Sequence, residues 1–85
     1  MDKIIITIRD KKKRFNGYDL EVLTNVPVRQ LKKDIVETLN SYKKRLSLSD
    51  KNVQLSSVNL KRMLRDSETF ESAGVWNGDY IEFDS

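Results

Sequence analysis

The chain contains no cysteine and no histidine. Those two absences together remove disulfides, thiol nucleophiles, imidazole acid–base chemistry and the common zinc ligand sets. No catalytic residue, cofactor or metal is therefore expected. Long apolar runs are missing too. The longest is Ile4-Ile5-Ile6, far short of the roughly 20 residues a membrane-spanning helix needs. Met1-Asp2-Lys3 carries no signal-peptide pattern. A cysteine-free chain suits a reducing compartment, and a cytoplasmic placement is expected. No repeat, low-complexity stretch or linker interrupts the 85 residues, so residues 1–85 are expected to form one domain.

What is present is charge, unevenly spread. The net charge is only +3. Arg9 to Arg14 holds five cations and one anion, and Arg29 to Arg45 holds six cations and two anions. Asp66 to Ser85 holds six anions and no cation. The chain is basic in its first half and acidic at its end.

The apolar residues then set the local structure. In residues 3–9, Ile4, Ile6 and Ile8 alternate with Ile5, Thr7 and Arg9, the period of a strand. A polar stretch ending in Asn16-Gly17 predicts a turn. Residues 18–23 alternate again, with Tyr18, Leu20 and Val22 inward, which completes a hairpin. Val28, Leu31, Ile35, Leu39 and Tyr42 then recur at spacings of three and four, the stripe of an amphipathic helix. Pro27 suits its first turn and Thr24-Asn25 its cap. Residues 53–60 predict a third strand, Met63-Leu64 a short edge strand and residues 69–75 a short 3₁₀ segment. Asn77-Gly78 predicts a turn, and residues 79–84 a last strand with Ile81 and Phe83 inward. The order is ββ-α-β-β-β, an α+β fold in which one helix packs on one face of a mixed sheet of four to five strands.

This order resembles the β-grasp fold of ubiquitin over nearly the whole chain. The stretch from Leu20-Glu21-Val22 to Val28, Leu31 and Ile35 matches without a gap. So does the run through Leu64, Phe70, Val75, Ile81 and Phe83. Within that superfamily the chain is most similar to the YukD/EsaB-type ubiquitin-like proteins of bacterial type VII secretion systems. The residues that carry this are Tyr18-Asp19-Leu20-Glu21-Val22, Val26-Pro27-Val28-Arg29-Gln30-Leu31, Gly74-Val75 and Gly78-Asp79. The resemblance implies a cytoplasmic protein, at the periphery of a membrane secretion complex, that regulates or assists the machine. Ubiquitin is attached through a flexible tail ending in Gly-Gly. Here the sequence runs from the last strand to Asp84-Ser85, so a module that is not conjugated is expected.

Four features could carry function. Asp79, Glu82 and Asp84 alternate with Ile81 and Phe83, and are expected on an outward polar face, since catalysis would need a cleft and a perturbed pKa. The loop Lys11-Lys12-Lys13-Arg14 reads either as a site for an anionic partner or as a solvated hairpin tip. By the resemblance, Lys43, Lys44 and Arg45 at the helix end would join it in one basic patch. Arg29, Lys32 and Lys33 lie near the helix start, where cations oppose the helix dipole. Nucleic-acid binding is disfavoured because only Phe15 is interleaved with these cations. Ile5, Val58 and Tyr80 are expected on the sheet face away from the helix, with Leu23 or Leu60 nearby, as a partner-binding patch or as scattered surface apolars. Trp76, on a loop, is either an interface anchor or a cover for the core edge. The partners expected are other proteins, components of the secretion machine among them, and no small-molecule substrate. The alternatives are a ubiquitin-like domain of a longer chain, for instance a membrane protein, and a small basic nucleic-acid-binding protein.

Overall fold

The computed structural model describes residues 2–43 and 45–85. The first two strands, β1 (Lys3–Asp10) and β2 (Tyr18–Leu23), form an antiparallel hairpin in which Ile4 faces Val22 and Ile6 faces Leu20. A long helix, α1 (Val28–Tyr42), follows. Then come β3 (Gln54–Ser57), the two-residue β4 (Arg62–Met63), a short helix α2 (Phe70–Ala73) and β5 (Tyr80–Asp84). The sheet order is β2-β1-β5-β3-β4, with β1 and β5 parallel at the centre and the other pairs antiparallel.

The inner face of the sheet presents Ile4, Ile6, Ile8, Leu20, Val22, Leu55, Ile81 and Phe83, all buried. Against it α1 lays Val28, Leu31, Ile35, Val36 and Leu39. Each such side chain contributes about 1.5–3 kcal/mol when fully buried, and this apolar layer holds helix to sheet. Tyr42 does not belong to it. It is the last helical residue, 58% exposed, with its ring 5.5 Å from that of Tyr18 at the sheet edge. The stripe reaches the end of the helix, but the core does not. Tyr18 is inward as expected, half-buried at the rim of the core beside Ile8.

The helix start also differs from the sequence expectation. Pro27 is the N-cap, and no side chain caps the helix. The orphan amides are satisfied by distant backbone: Val28 N–H donates to the Glu68 carbonyl at 2.7 Å, and Arg29 N–H to the Asp66 carbonyl at 3.2 Å. Thr24, expected as a cap, is instead buried, and its carbonyl accepts from the Glu71 N–H at 3.0 Å. Tertiary contacts therefore replace the local capping motif.

Two boundaries and one helix type differ for local reasons. β3 stops at Ser57 because the inward Ser57 Oγ accepts the Leu60 N–H at 3.0 Å and closes a turn over residues 58–61. The edge strand lies at Arg62–Met63, one residue early, and its successor Leu64 turns into the core. The expected 3₁₀ segment is a second helix of α type. Ala73 N–H donates to the Thr69 carbonyl and Gly74 N–H to the Phe70 carbonyl, both four residues back. Thr69 and Ser72 form a capping box at its start, and Gly74 closes it at φ +86°.

Candidate interaction surface

β1 carries Ile5, Thr7 and Arg9 on its outer side, and β5 carries Tyr80, Glu82 and Asp84. The register puts Thr7 beside Tyr80 and Arg9 beside Glu82. Glu82 in turn faces Ser56, which faces Met63. The face is thus divided. Arg9, Glu82 and Asp84 make a charged end, with the Arg9 guanidinium 5.0 Å from the Tyr80 ring centroid. Ile5, 49% exposed, and Tyr80, 45% exposed, make an apolar end. Val58 lies in the turn after β3 rather than in a strand, half-buried, with its N–H donating to the Tyr80 carbonyl at 3.1 Å. Leu23, Leu60 and Met63 are further exposed apolar side chains.

Trp76, on the turn bonded to Ile5, is 74% exposed, so it does not cover the core edge. Its turn is built rigidly. Gly78 N–H donates to the Ile5 carbonyl at 2.7 Å, and Ile5 N–H to Asn77 Oδ1 at 2.8 Å. Gly78 sits at φ +88°, a conformation that favours glycine. The centre of this turn is Asp79. It is buried, which corrects the expectation of an outward strand residue. Its Oδ2 accepts the Trp76 N–H at 2.8 Å, and its Oδ1 accepts the Asn59 amide at 2.6 Å. The strand begins one residue later, at Tyr80, because Asp79 is occupied in closing the turn. Sequence reasoning missed this bracket; its local signals were an Asp three residues after Trp76 in a turn and the parity that Asp79 shares with Ile81 and Phe83.

The basic loop is largely engaged with its own chain. Arg14 holds the buried Asp10 through Nε at 2.7 Å and Nη2 at 3.0 Å. Backbone N–H groups of Arg14 and Lys12 donate to the same carboxylate at 2.8 and 3.1 Å. Burial works to raise the Asp10 pKa, but these four donors outweigh it and hold the carboxyl below its ordinary value. The Asp10 contact correspondingly raises the Arg14 pKa. Lys11 pairs with Asp84 at 3.8 Å, and Lys12 Nζ donates to the Ser85 carbonyl. Lys13 is exposed, in the left-handed region at φ 58°. Lys43 and Arg45 are exposed just past the helix end, and Lys44 lies outside the described residues. Phe15 is buried, packed at 5.6 Å from Tyr18 and 6.2 Å from Phe83, so it offers no face for a base to stack on. Among the helix-start cations, Lys32 pairs with Asp66 at 2.5 Å, while Arg29 and Lys33 are exposed. On the same loop, the Arg62 guanidinium grips Glu68 at 2.7 and 2.9 Å and, with the Arg65 N–H, holds its pKa down at about 2.

Among the described residues no helix is long and apolar enough to cross a membrane. No curated protein matches the sequence at a significant level. Solved structures do. Caldiarchaeum subterraneum ubiquitin is 26% identical over 98% of this chain and 92% of that one, with a TM-score of 0.74. The ubiquitin-like domain of the Mycobacterium tuberculosis type VII secretion system protein ECCD1 is 17% identical, covers both chains fully and has a TM-score of 0.74. The ubiquitin-like domain of an Arabidopsis thaliana protein is 21% identical over 98% of this chain and 77% of that one, at a TM-score of 0.73. The fold is therefore ubiquitin-like. The family model described as WXG100 protein secretion system (Wss), protein YukD, matches residues 4–82. Since that match runs across almost its whole length, the chain belongs to the YukD family.

Proposed function

We propose that this chain is a docking module of a bacterial type VII secretion apparatus. It acts there as an accessory or regulatory component, by non-covalent binding to other proteins of the machine at its cytoplasmic side. Membership of the YukD family supports the secretion context. The observation that carries the docking mode is the apolar end of the outer sheet face. There Ile5, Tyr80 and Trp76 stand exposed around a turn fixed by Asp79. Aromatic side chains on a rigid frame lose little entropy on binding, and such residues dominate the energetics of interfaces. The charged end beside it, Arg9 with Glu82, suits a polar rim.

The test is affinity capture of secretion-machine components by the tagged chain in its source organism. It is repeated with the Val58→Glu and Tyr80→Glu double variant and with Lys11, Lys12 and Lys13 all changed to Glu. Loss of the same components in the first variant only, with the fold intact by circular dichroism, is the expected result. Retention in the first and loss in the second would move the working surface to the basic hairpin loop. Retention in both, or capture of no secretion component, would end the docking reading.

A further inference from the structure

A groove of about 550 Å³ opens between β1 and α2, beside the aromatic turn, with Ile4, Val75, Trp76 and Glu71 in its lining. Ile4 and Val75 are buried core residues that form an apolar floor. Trp76 supplies a side whose backbone is clamped in both directions. Its N–H donates to Asp79 Oδ2 at 2.8 Å, and its carbonyl accepts the Asp79 N–H at 3.1 Å. The lining contains one carboxylate, Glu71, and no cation. Glu71 has no ion pair among the described residues, as is also true of Asp79 and Glu82, but of these it alone lines the groove. Its backbone is nonetheless fixed, through its N–H to the Thr24 carbonyl at 3.0 Å.

We infer that this groove receives a segment of a partner protein that presents an apolar side chain next to a lysine or arginine. The apolar side chain packs on Ile4 and Val75. The cation takes the space between the indole face of Trp76 and the Glu71 carboxylate, where cation–π attraction and charge pairing act together. An acidic segment meets Glu71 as a like charge, and a purely aliphatic one desolvates that carboxylate without compensation. The inference rests on the docking reading above and names the chemistry of the partner.

Trp76 is the chain's sole tryptophan, so its emission reports on this groove. The full chain is titrated with a blocked peptide Leu-Arg-Leu-Arg-Leu, and in parallel with its glutamate and glutamine counterparts, at about 0.15 M salt. A saturable change with the arginine peptide alone is expected. Amide shifts should be confined to Ile4, Thr24 and residues 71–77. Glu71→Gln should weaken binding about 2–5-fold, the worth of one partly exposed charge pair. An equal response to the glutamate peptide, or shifts centred on Glu82 and Asp84, would overturn the assignment. So would Trp76 emission that changes with protein concentration alone, which would make the occupant a second copy of the chain. If the arginine peptide fails while the Val58→Glu and Tyr80→Glu double variant still abolishes capture of secretion components, the inference falls and the docking reading stands.

Discussion

Arg14 holds Asp10 through two nitrogens, at 2.7 and 3.0 Å, and the carboxylate it holds has no exposed surface of its own. Asp10 also pairs in register with Phe83 of β5, so the grip fixes the hairpin loop to the central strands. Asp10→Asn keeps the shape but gives up the charge that all four donors address. It is expected to cost about 1–3 kcal/mol, measured by urea unfolding near neutral pH. The sign with pH follows from the lowered pKa. Asp10 contributes fully above its ordinary value of 3.8, and that contribution is lost as pH falls through the lower folded value. The gap between parent and variant should therefore close in acid; a constant gap would contradict this account.

Glu68 offers a second titration. Its carboxyl signal in NMR should move with a midpoint of about 2, because Arg62 and the Arg65 N–H both favour the ionised form. In Arg62→Gln the midpoint should rise toward 4.5 but not reach it, since the Arg65 N–H remains. Any stabilisation from Glu68 is present above 4.5 and lost as pH falls toward about 2. A parent midpoint near 4.5 would show that the pair does not persist in solution.

Asp79 organises the aromatic turn. Asp79→Ala removes the acceptors for the Trp76 N–H and the Asn59 amide. Stability should drop by about 1–3 kcal/mol, and the fluorescence anisotropy of Trp76 should fall as its turn loosens. Unchanged anisotropy would mean that the turn holds without this bracket.

Leu39 and Tyr42 lie on one helical stripe but in different surroundings. Leu39→Ala should cost about 2–5 kcal/mol, as for other fully buried aliphatic residues. Tyr42→Ala should cost only about 0.5–1.5 kcal/mol, the worth of its ring pair with Tyr18. Equal losses in thermal unfolding would restore Tyr42 to the core.

The residues that were legible in the sequence share one property: their pattern repeats. Ile4, Ile6 and Ile8 at period two, and Val28 to Leu39 at three and four, each identify a buried face, because regular backbone turns spacing into direction. The residues that were misread keep the spacing and differ in their surroundings, which spacing does not carry. Asp79 shares the parity of the inward Ile81 and Phe83 but is a carboxylate and was expected outside; the Trp76 N–H of its own turn and the distant Asn59 amide make its burial favourable. Tyr42 continues the stripe, yet the sheet ends beneath it. The candidate surface divides in the same way. Alternation alone put Ile5 and Tyr80 on the outer face. The exposure of Trp76 and the burial of Phe15 depended on how the loops fold back.

The sequence by itself determined the elements, their order and which face of each is apolar, since these follow from local periodicity and turn chemistry. It also determined that histidine and cysteine chemistry is absent. Only the tertiary structure decided which charges are spent internally: Arg14 on Asp10, Lys11 on Asp84, Lys32 on Asp66 and Arg62 on Glu68. It likewise decided which stay free to meet a partner. Ion pairs and hydrogen bonds join groups that are adjacent in space, and spacing along a chain does not encode that adjacency until the sheet and helix have closed on one another.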